Sequence, residues 1–436
     1  MVDDVLFWGG DLYQRRERYQ EAAAFYDRIV TLKQKGDHCA DGQWRLAWMA
    51  YRKEDFAEAR RRLENVSNPG GCETGAFEQA QATYWLGRIA QRQDHRRQAT
   101  RDYLQVFDIA PLGYYAQLAM HRLKEVDPEQ AIITASKLTA PKGDGIPLLC
   151  PGVLADNPLF LRGLDLLLRG LTEEAVLALR GVATPKSIVG LSHAVSQGVA
   201  PESVASRPSS SPESCGAANG GLLLAIALDR AGAHREAHWR LRTEFSTLLE
   251  RMPTSDEIGI FRAAYPLTYR EELGTAEKES GLPDLFLQAL SREESAFDSE
   301  VVSWAGAYGL TQLLFSNAKR AGRFLEPPLK ITRVEELLDP QINARLGGAL
   351  LGSMMRRYKG NPALSLAAYN AGEGFANTLW KRHASQDFDR FAEEITIRET
   401  RGYVKRVMKT YGIYRWLYAG EPPALAIAMQ SPQRGR

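Results

Sequence analysis

No stretch of the 436-residue chain approaches 18 consecutive apolar residues, so no transmembrane helix is expected. There is no CxxC and no HExxH, and the four cysteines (Cys39, Cys72, Cys150 and Cys215) are too widely spread for a metal knuckle. Net charge is nearly absent: Lys+Arg 55 against Asp+Glu 53 leaves +2, no electrostatic case for nucleic acid. No arginine stripe with interleaved aromatics reopens that case. The N-terminus, MVDDVLFWGG, carries acids where a secretory signal would be positive, and no long apolar core follows, so no export address is read. Runs of β-branched alternation are missing too, which leaves an all-α class. What remains is ordinary globular material, 44% hydrophobic and 25% charged. Its length suits about two or three domains of roughly 150 residues each.

The first third repeats. Phe7–Val30, Trp44–Leu63 and Tyr84–Val106 share one layout: an aromatic and small residues start a helix, a polar break follows, and an alanine opens a second helix. The markers Ala22, Ala59 and Ala99 stand 37 and 40 residues apart, a spacing that fits TPR-like helical hairpins. Each hairpin hides its apolar stripe only against its neighbours, so the expected outcome is a superhelical array over 1–125, with Gly113–Leu123 as a closing element. Residues 126–280 read as a connector and helical linker domain. Val126 to Pro151 loses periodicity, Thr172 is placed to cap a helix carrying Ala175, and a flexible loop is expected near 201–221. Ala237 repeats the Ala59 role in a further hairpin. Residues 281–420 form a third unit, followed by a tail over 421–436. Cys39 and Cys72 sit in loops ahead of helical runs, which admits a disulfide in an oxidising compartment and equally admits four unpaired thiols.

Chemistry concentrates in the third unit. Pro283 and Asp284 predict a helix opening. On a 100° wheel Phe286, Leu287, Leu290 and Phe297 make one stripe, with Glu294 about 40° from its centre and Glu293 about 60° to the other side. A glutamate pressed against apolar groups has its pKa raised and can hold a proton near neutrality, as a general acid must. The same placement also suits two exposed acids beside Arg292, and the wheel does not decide. Farther along, Gly306–Leu314 offers glycines for a close backbone approach and then Gln312 on a new helix. Ala367–Gly374 ends a helix at Tyr369 and Asn370 with glycines for a left-handed stop, and Glu399–Val407 opens another with Tyr403.

In order, these segments read Glu294-Ser295 after Arg292, Gly306-Ala307-Tyr308-Gly309-Leu310-Thr311-Gln312, Ala368-Tyr369-Asn370-Ala371-Gly372 and Glu399-Thr400-Arg401-Gly402-Tyr403-Val404. The chain therefore resembles the soluble lytic transglycosylases, lysozyme-like enzymes that cut peptidoglycan glycan strands. Ala264–Pro283 is similar to that family's lead-in to the catalytic helix, and the upstream hairpins resemble the superhelix of its large soluble type. The resemblance implies a lysozyme-like catalytic domain, no cofactor and no metal. It makes Glu294, directly before serine, the sole acid/base, with the charge of Glu293 not required. Ser295, Ser303, Gln312, Leu314, Tyr369, Asn370, Glu399 and Tyr403 fall at positions that hold the acid or the substrate.

Ordinary glycosidases flank the bond with two carboxylates. The resemblance implies one: Glu294 protonates the oxygen between N-acetylmuramic acid and N-acetylglucosamine, the 2-acetamido group supports the anomeric centre, and the C6 hydroxyl closes a 1,6-anhydro ring. Hydrolysis by a lysozyme-like route and a non-catalytic scaffold gripping protein or glycan are the alternatives. The implied partners are glycan strands and, through the repeats, cell-wall or secretion-machinery proteins. The implied compartment is the periplasm, the export signal lying outside this sequence. Four departures from the family pattern stand out. Thr311 replaces a methionine, Phe315 and Glu373 replace prolines, and the array is shorter than a closed ring of hairpins would need.

Overall fold

The computed structural model describes residues 2–32, 36–67, 72–143, 145–146, 149, 151–182, 217–383 and 386–425. The three N-terminal repeats are helical hairpins: α1 (Val2–Arg15) with α2 (Tyr19–Val30), α3 (Cys39–Arg52) with α4 (Phe56–Ser67), and α5 (Ala76–Arg92) with α6 (Arg96–Ile109). Each turns on one left-handed residue, Glu17, Glu54 or Asp94, with φ of 62°, 62° and 58°. Five residues later comes the marker alanine, and Ala22, Ala59 and Ala99 are all fully buried. The same device recurs in the pairs α9 (Pro158–Leu168) with α10 (Thr172–Arg180) and α11 (Ala217–Arg230) with α12 (His234–Glu244). There Gly170 and Gly232 take the left-handed turn before buried Ala175 and Ala237. Small residues also set how near the paired helices lie. A Cβ on Gly10 would come within 2.6 Å of the Tyr26 ring and one on Gly87 within 2.7 Å of Tyr103. At the equivalent positions the middle repeat has Ala47 and the smaller Leu63, both buried.

Several expectations are corrected. The closing element α7 (Tyr114–Val126) is followed directly by α8 (Pro128–Lys137) inside the stretch read as connector; Asp127 caps it, accepting from the Gln130 N–H, and Pro128 takes the first position. Thr172 lies inside α10 and caps nothing; Leu171 is the cap position. Gly220 and Gly221, expected in a loop, are helical, while 201–216 lie outside the described residues. Cys39 and Cys72 are joined, with Cα atoms 5.4 Å apart, tying the start of α3 to the segment before α5. Cys150 and Cys215 lie outside the described residues.

After α13 (Ser246–Glu250) and α14 (Ile258–Ala264) come α15 (Arg270–Ser280) and α16 (Phe286–Ser295). Among the described residues the all-α reading has one small exception, a hairpin of β1 (Ala307–Tyr308) and β2 (Leu313–Leu314), paired antiparallel with Ala307 opposite Leu314. Then follow α17 (Phe315–Ala321), α18 (Pro340–Arg357), α19 (Pro362–Ala371), α20 (Glu373–His383), α21 (Phe388–Glu393) and α22 (Arg398–Ala419).

One hydrophobic core runs from Trp44 in the array to Leu425, so the array and the C-terminal helices share it. Buried charges line their seam. Asp389 accepts from Tyr84 at 2.5 Å and pairs with Arg88 and Arg122 at 2.8 and 3.0 Å. Lys405 of α22 reaches Glu393 and the Tyr115 hydroxyl, each at 2.8 Å. Such pairs offset the desolvation of each charge only while both partners are present. They fix where α22 lies, and α22 carries Tyr403.

Candidate active site

Helix α16 begins later than Pro283 suggested, because Leu285 turns left-handed at φ 69°. Its first N–H groups need acceptors. Buried Glu277 of α15 supplies them: its Oε1 accepts from Leu287 and Gln288 at 2.8 and 3.3 Å, and Arg270 holds its other oxygen at 2.8 Å. At the far end Ala296 and Phe297 are again left-handed. Ser295 Oγ donates to the Leu310 carbonyl at 2.9 Å, fastening the helix end to the β1–β2 hairpin.

Neither member of the glutamate doublet is solvent-exposed, which overturns the reading of two surface acids. Glu293 has 3% side-chain exposure and a full set of partners: Arg292 at 2.7 Å, the Thr410 hydroxyl at 2.7 Å, and Arg242 at 3.4 Å. Burial pushes its pKa up, but the two guanidinium charges and the Thr410 hydrogen bond outweigh it and hold Glu293 down at about 2. Glu294, one residue on, is buried beside phenols. Tyr403 Oη donates to its Oε1 at 2.6 Å. Burial lifts Glu294 to about 7; that hydrogen bond pulls it down, while the nearby charges of Glu399 and Glu293 push it higher. The neutral acid is therefore well populated near pH 7, and the Tyr403 contact leaves Oε2 to carry the proton.

Tyr369 is the second phenol near Glu294, its pKa raised by burial and by the Glu294 charge. Its hydroxyl donates to the Thr311 carbonyl at 2.8 Å. Thr311 itself is fully buried, and Asn343 Oδ1 accepts from both its N–H (2.9 Å) and its hydroxyl (2.7 Å). The residue in the methionine's place is thus a polar pin between the hairpin and α18, where a Cβ on Gly347 would meet its hydroxyl at 2.3 Å. Gly309 makes the close approach its motif suggested: at φ 69°, a Cβ there would lie 2.4 Å from the Leu337 carbonyl.

Gln312, expected on a helix, instead sits in the hairpin turn at φ 50°, its amide donating to the Gly309 and Val301 carbonyls at 2.9 and 3.2 Å. Ser303 closes the same loop, its Oγ accepting from the Ala307 N–H at 3.0 Å. Leu314 is 41% exposed at the end of β2. Asn370 donates to Glu399 at 3.2 Å and accepts from Thr400 at 2.7 Å, joining the end of α19 to the start of α22. Glu373, in a proline's place, pairs with Arg320 at 2.7 Å.

An open cavity of about 700 Å³ adjoins Glu294 and is walled on its far side by Arg235, Trp239 and Arg242 of α12. Sequence reasoning missed this wall, as well as Glu277, Thr410 and Asn343. The only signals were the Ala237 repeat for α12 and the glycines of Gly347-Gly348 for the Thr311 contact.

Residues 272–391 match the family model described as the transglycosylase SLT domain. A soluble lytic murein transglycosylase of Escherichia coli K12 is 32% identical over 171 residues, 39% of this chain and 26% of that protein. The Salmonella typhimurium protein of the same description is 31% identical over 162 residues, 37% of this chain and 25% of that one. The crystal structure of the 70 kDa soluble lytic transglycosylase of Escherichia coli superposes with a TM-score of 0.63 at 20% identity, covering 100% of this chain and 64% of that one. The match therefore spans about a quarter of the curated relatives' length. The resemblance carried by the four motifs is borne out, and so is the superhelical all-α fold.

Proposed function

We propose that this chain, which carries the SLT domain over 272–391, is a lytic transglycosylase acting on peptidoglycan, with Glu294 as its single acid/base. The observation that supports this reading is a carboxyl raised to about pKa 7 by burial and hydrogen-bonded by a phenol, beside an open cavity, with its sequence neighbour locked as an anion.

Glu294, protonated at Oε2, donates to the glycosidic oxygen as the bond from that oxygen to the muramic C1 breaks. The carbonyl oxygen of the 2-acetamido group bonds to C1 and carries the developing charge. The carboxylate then takes the proton of the C6 hydroxyl while O6 attacks C1 and displaces the amide oxygen, which closes the 1,6-anhydro ring and returns Glu294 to its acid form. The Tyr403 hydrogen bond supports the carboxylate between the two steps. Proton transfer of this kind contributes about 10²–10⁴-fold. Positioning by the Ser295–Leu310 and Thr311–Asn343 fastenings supplies more. Of the two carboxylates whose charges reach Glu294, Glu293 is engaged by Arg292, Arg242 and Thr410, and Glu399 accepts from Asn370.

The test is digestion of purified sacculi with mass spectrometry of the products. Anhydro-muropeptides, lighter by one water than hydrolysis products, are expected from the wild type and none from Glu294→Gln. Reducing-end products would make the enzyme a hydrolase, and no products from a folded wild type would leave a scaffold. The implied site of action is the periplasm, which the Cys39–Cys72 bond supports.

A further inference from the structure

A second cavity, of about 640 Å³, opens between the first three hairpins and the beginning of α22. Six cationic side chains and only three carboxylates line it. Four of the cations have carboxylate partners: Arg15 with Asp11, Arg398 with Asp41 at 3.2 Å, Lys405 with Glu393, and Arg406 with Glu293 at 3.7 Å. Arg45 and Arg401 do not. Arg45 is 2% exposed, it makes no ion pair among the described residues, and its buried Nε has no hydrogen-bond partner. Arg401 is also buried and makes a single side-chain hydrogen bond among the described residues, to the Ile395 carbonyl at 2.7 Å. A buried guanidinium without a counter-charge is costly. The cost shows at Arg401, whose pKa falls to about 9 through burial and then the charge of Arg45.

The rest of the wall is aromatic. Trp8 and Phe77 are 50% and 45% exposed, and Trp44 lies behind them. The start of α22 adds the positive end of a 22-residue helix. Paired cations with open donors beside exposed rings suit a ligand that carries carboxylates on a partly apolar chain. Glu399 belongs both to this wall and to the surroundings of Glu294, so the cavity is continuous in chemistry with the site of cleavage.

We propose that this cavity binds a short carboxylate-bearing peptide and, resting on the function proposed above, that the peptide is the stem attached to the muramic residue of the strand being cut. Arg45 and Arg401 take its carboxylates, and Trp8 and Phe77 cover its aliphatic part. The array then reads the peptide while the C-terminal helices cut the sugar.

The test is calorimetric titration of the full chain carrying Glu294→Gln with a stem tripeptide freed from its sugar by an amidase. Saturable binding is expected, at least tenfold weaker when Arg45→Gln is added and several-fold weaker with Trp8→Ala, a change at an exposed position that keeps the question answerable if the arginine variant unfolds. The same tripeptide with its carboxylates amidated should not bind. Absence of binding, equal affinity in both variants, or displacement by millimolar inorganic phosphate would overturn the proposal. Muropeptide release from sacculi by the wild type is scored separately: cleavage without peptide binding removes this inference and leaves the function standing, and binding without cleavage does the reverse.

Discussion

Helix α22 faces two regions that treat buried carboxylates in opposite ways. On the array side, Asp389 and Glu393 are met by guanidinium and ammonium groups, and Asp389 stays an anion because Arg88 and Arg122 more than offset its burial. On the cleft side, Glu294 is met by a phenol, which donates a hydrogen bond but brings no charge, and its pKa rises to about 7. Asp389 is fully enclosed and Glu294 only partly so, which means that depth of burial does not explain the higher pKa of Glu294. Whether the partner carries a charge does, and it separates a structural anion from a proton donor.

The sharpest way to break this contrast is to remove the acid. Glu294→Gln should cost about 10²–10⁴-fold in anhydro-muropeptide release, read by mass spectrometry of digested sacculi. Next comes the seam. Asp389→Asn takes away the buried anion between Arg88 and Arg122 and leaves them only the half-exposed Asp387 to share, at 2.8 and 3.0 Å, and an unfolding free energy lower by about 3–5 kcal/mol is expected in a denaturant titration.

The third test uses the opposite sign on the cleft side. Glu294 has a folded pKa of about 7 against an ordinary 4.5, so burial disfavours its charged form. The penalty is absent below pH 4.5, grows as pH rises, and is complete above about 7. The cost at pH 8 is roughly 3 kcal/mol. Glu294→Gln should therefore melt higher than the wild type at pH 8 and level with it near pH 4. Wild-type activity should fall as pH rises through about 7, as the acid form is lost.

Tyr403→Phe removes a hydrogen bond to the charged form worth roughly 1.5–3 kcal/mol, so the alkaline limb of the pH–rate profile should move up by about 1–2 units. The smallest effect on activity is expected at Glu293. Glu293→Gln retains an acceptor for Arg292 and Thr410 and should keep most activity, while losing the charge that buried Arg292 pairs with should cost about 3–5 kcal/mol of stability. A loss of activity comparable to that of Glu294→Gln would make the doublet act as one unit and end the contrast.

The hairpins were legible because their signals are local: a left-handed turn residue and a buried alanine five positions later repeat at fixed spacing. Helix α8 was equally local, in Asp127-Pro128, yet its ten residues are too short to show a period. The split between Glu293 and Glu294 could not be read from their own helix. Arg242 comes from 51 residues upstream and Thr410 from 117 residues downstream, and no wheel contains them. Gln312 was misplaced for the related reason that the hairpin turn around it is enforced by Gly309 packing on Leu337 and by Asn343 holding Thr311, contacts made in space and not along the chain.

Because α22 is wedged between cleft and array, the heritable unit is larger than the recognisable one. A recombination event that moved residues 281–420 into another protein would carry Glu294 and Tyr403 together. It would strip Glu393 and Lys405 of Tyr115, and Asp389 of Tyr84, Arg88 and Arg122. Substitutions across that seam are therefore expected to be inherited in concert, with changes at 84, 88, 115 and 122 tracking those at 389, 393 and 405, and lineages that lose the array should show the acids of α21 replaced by apolar residues.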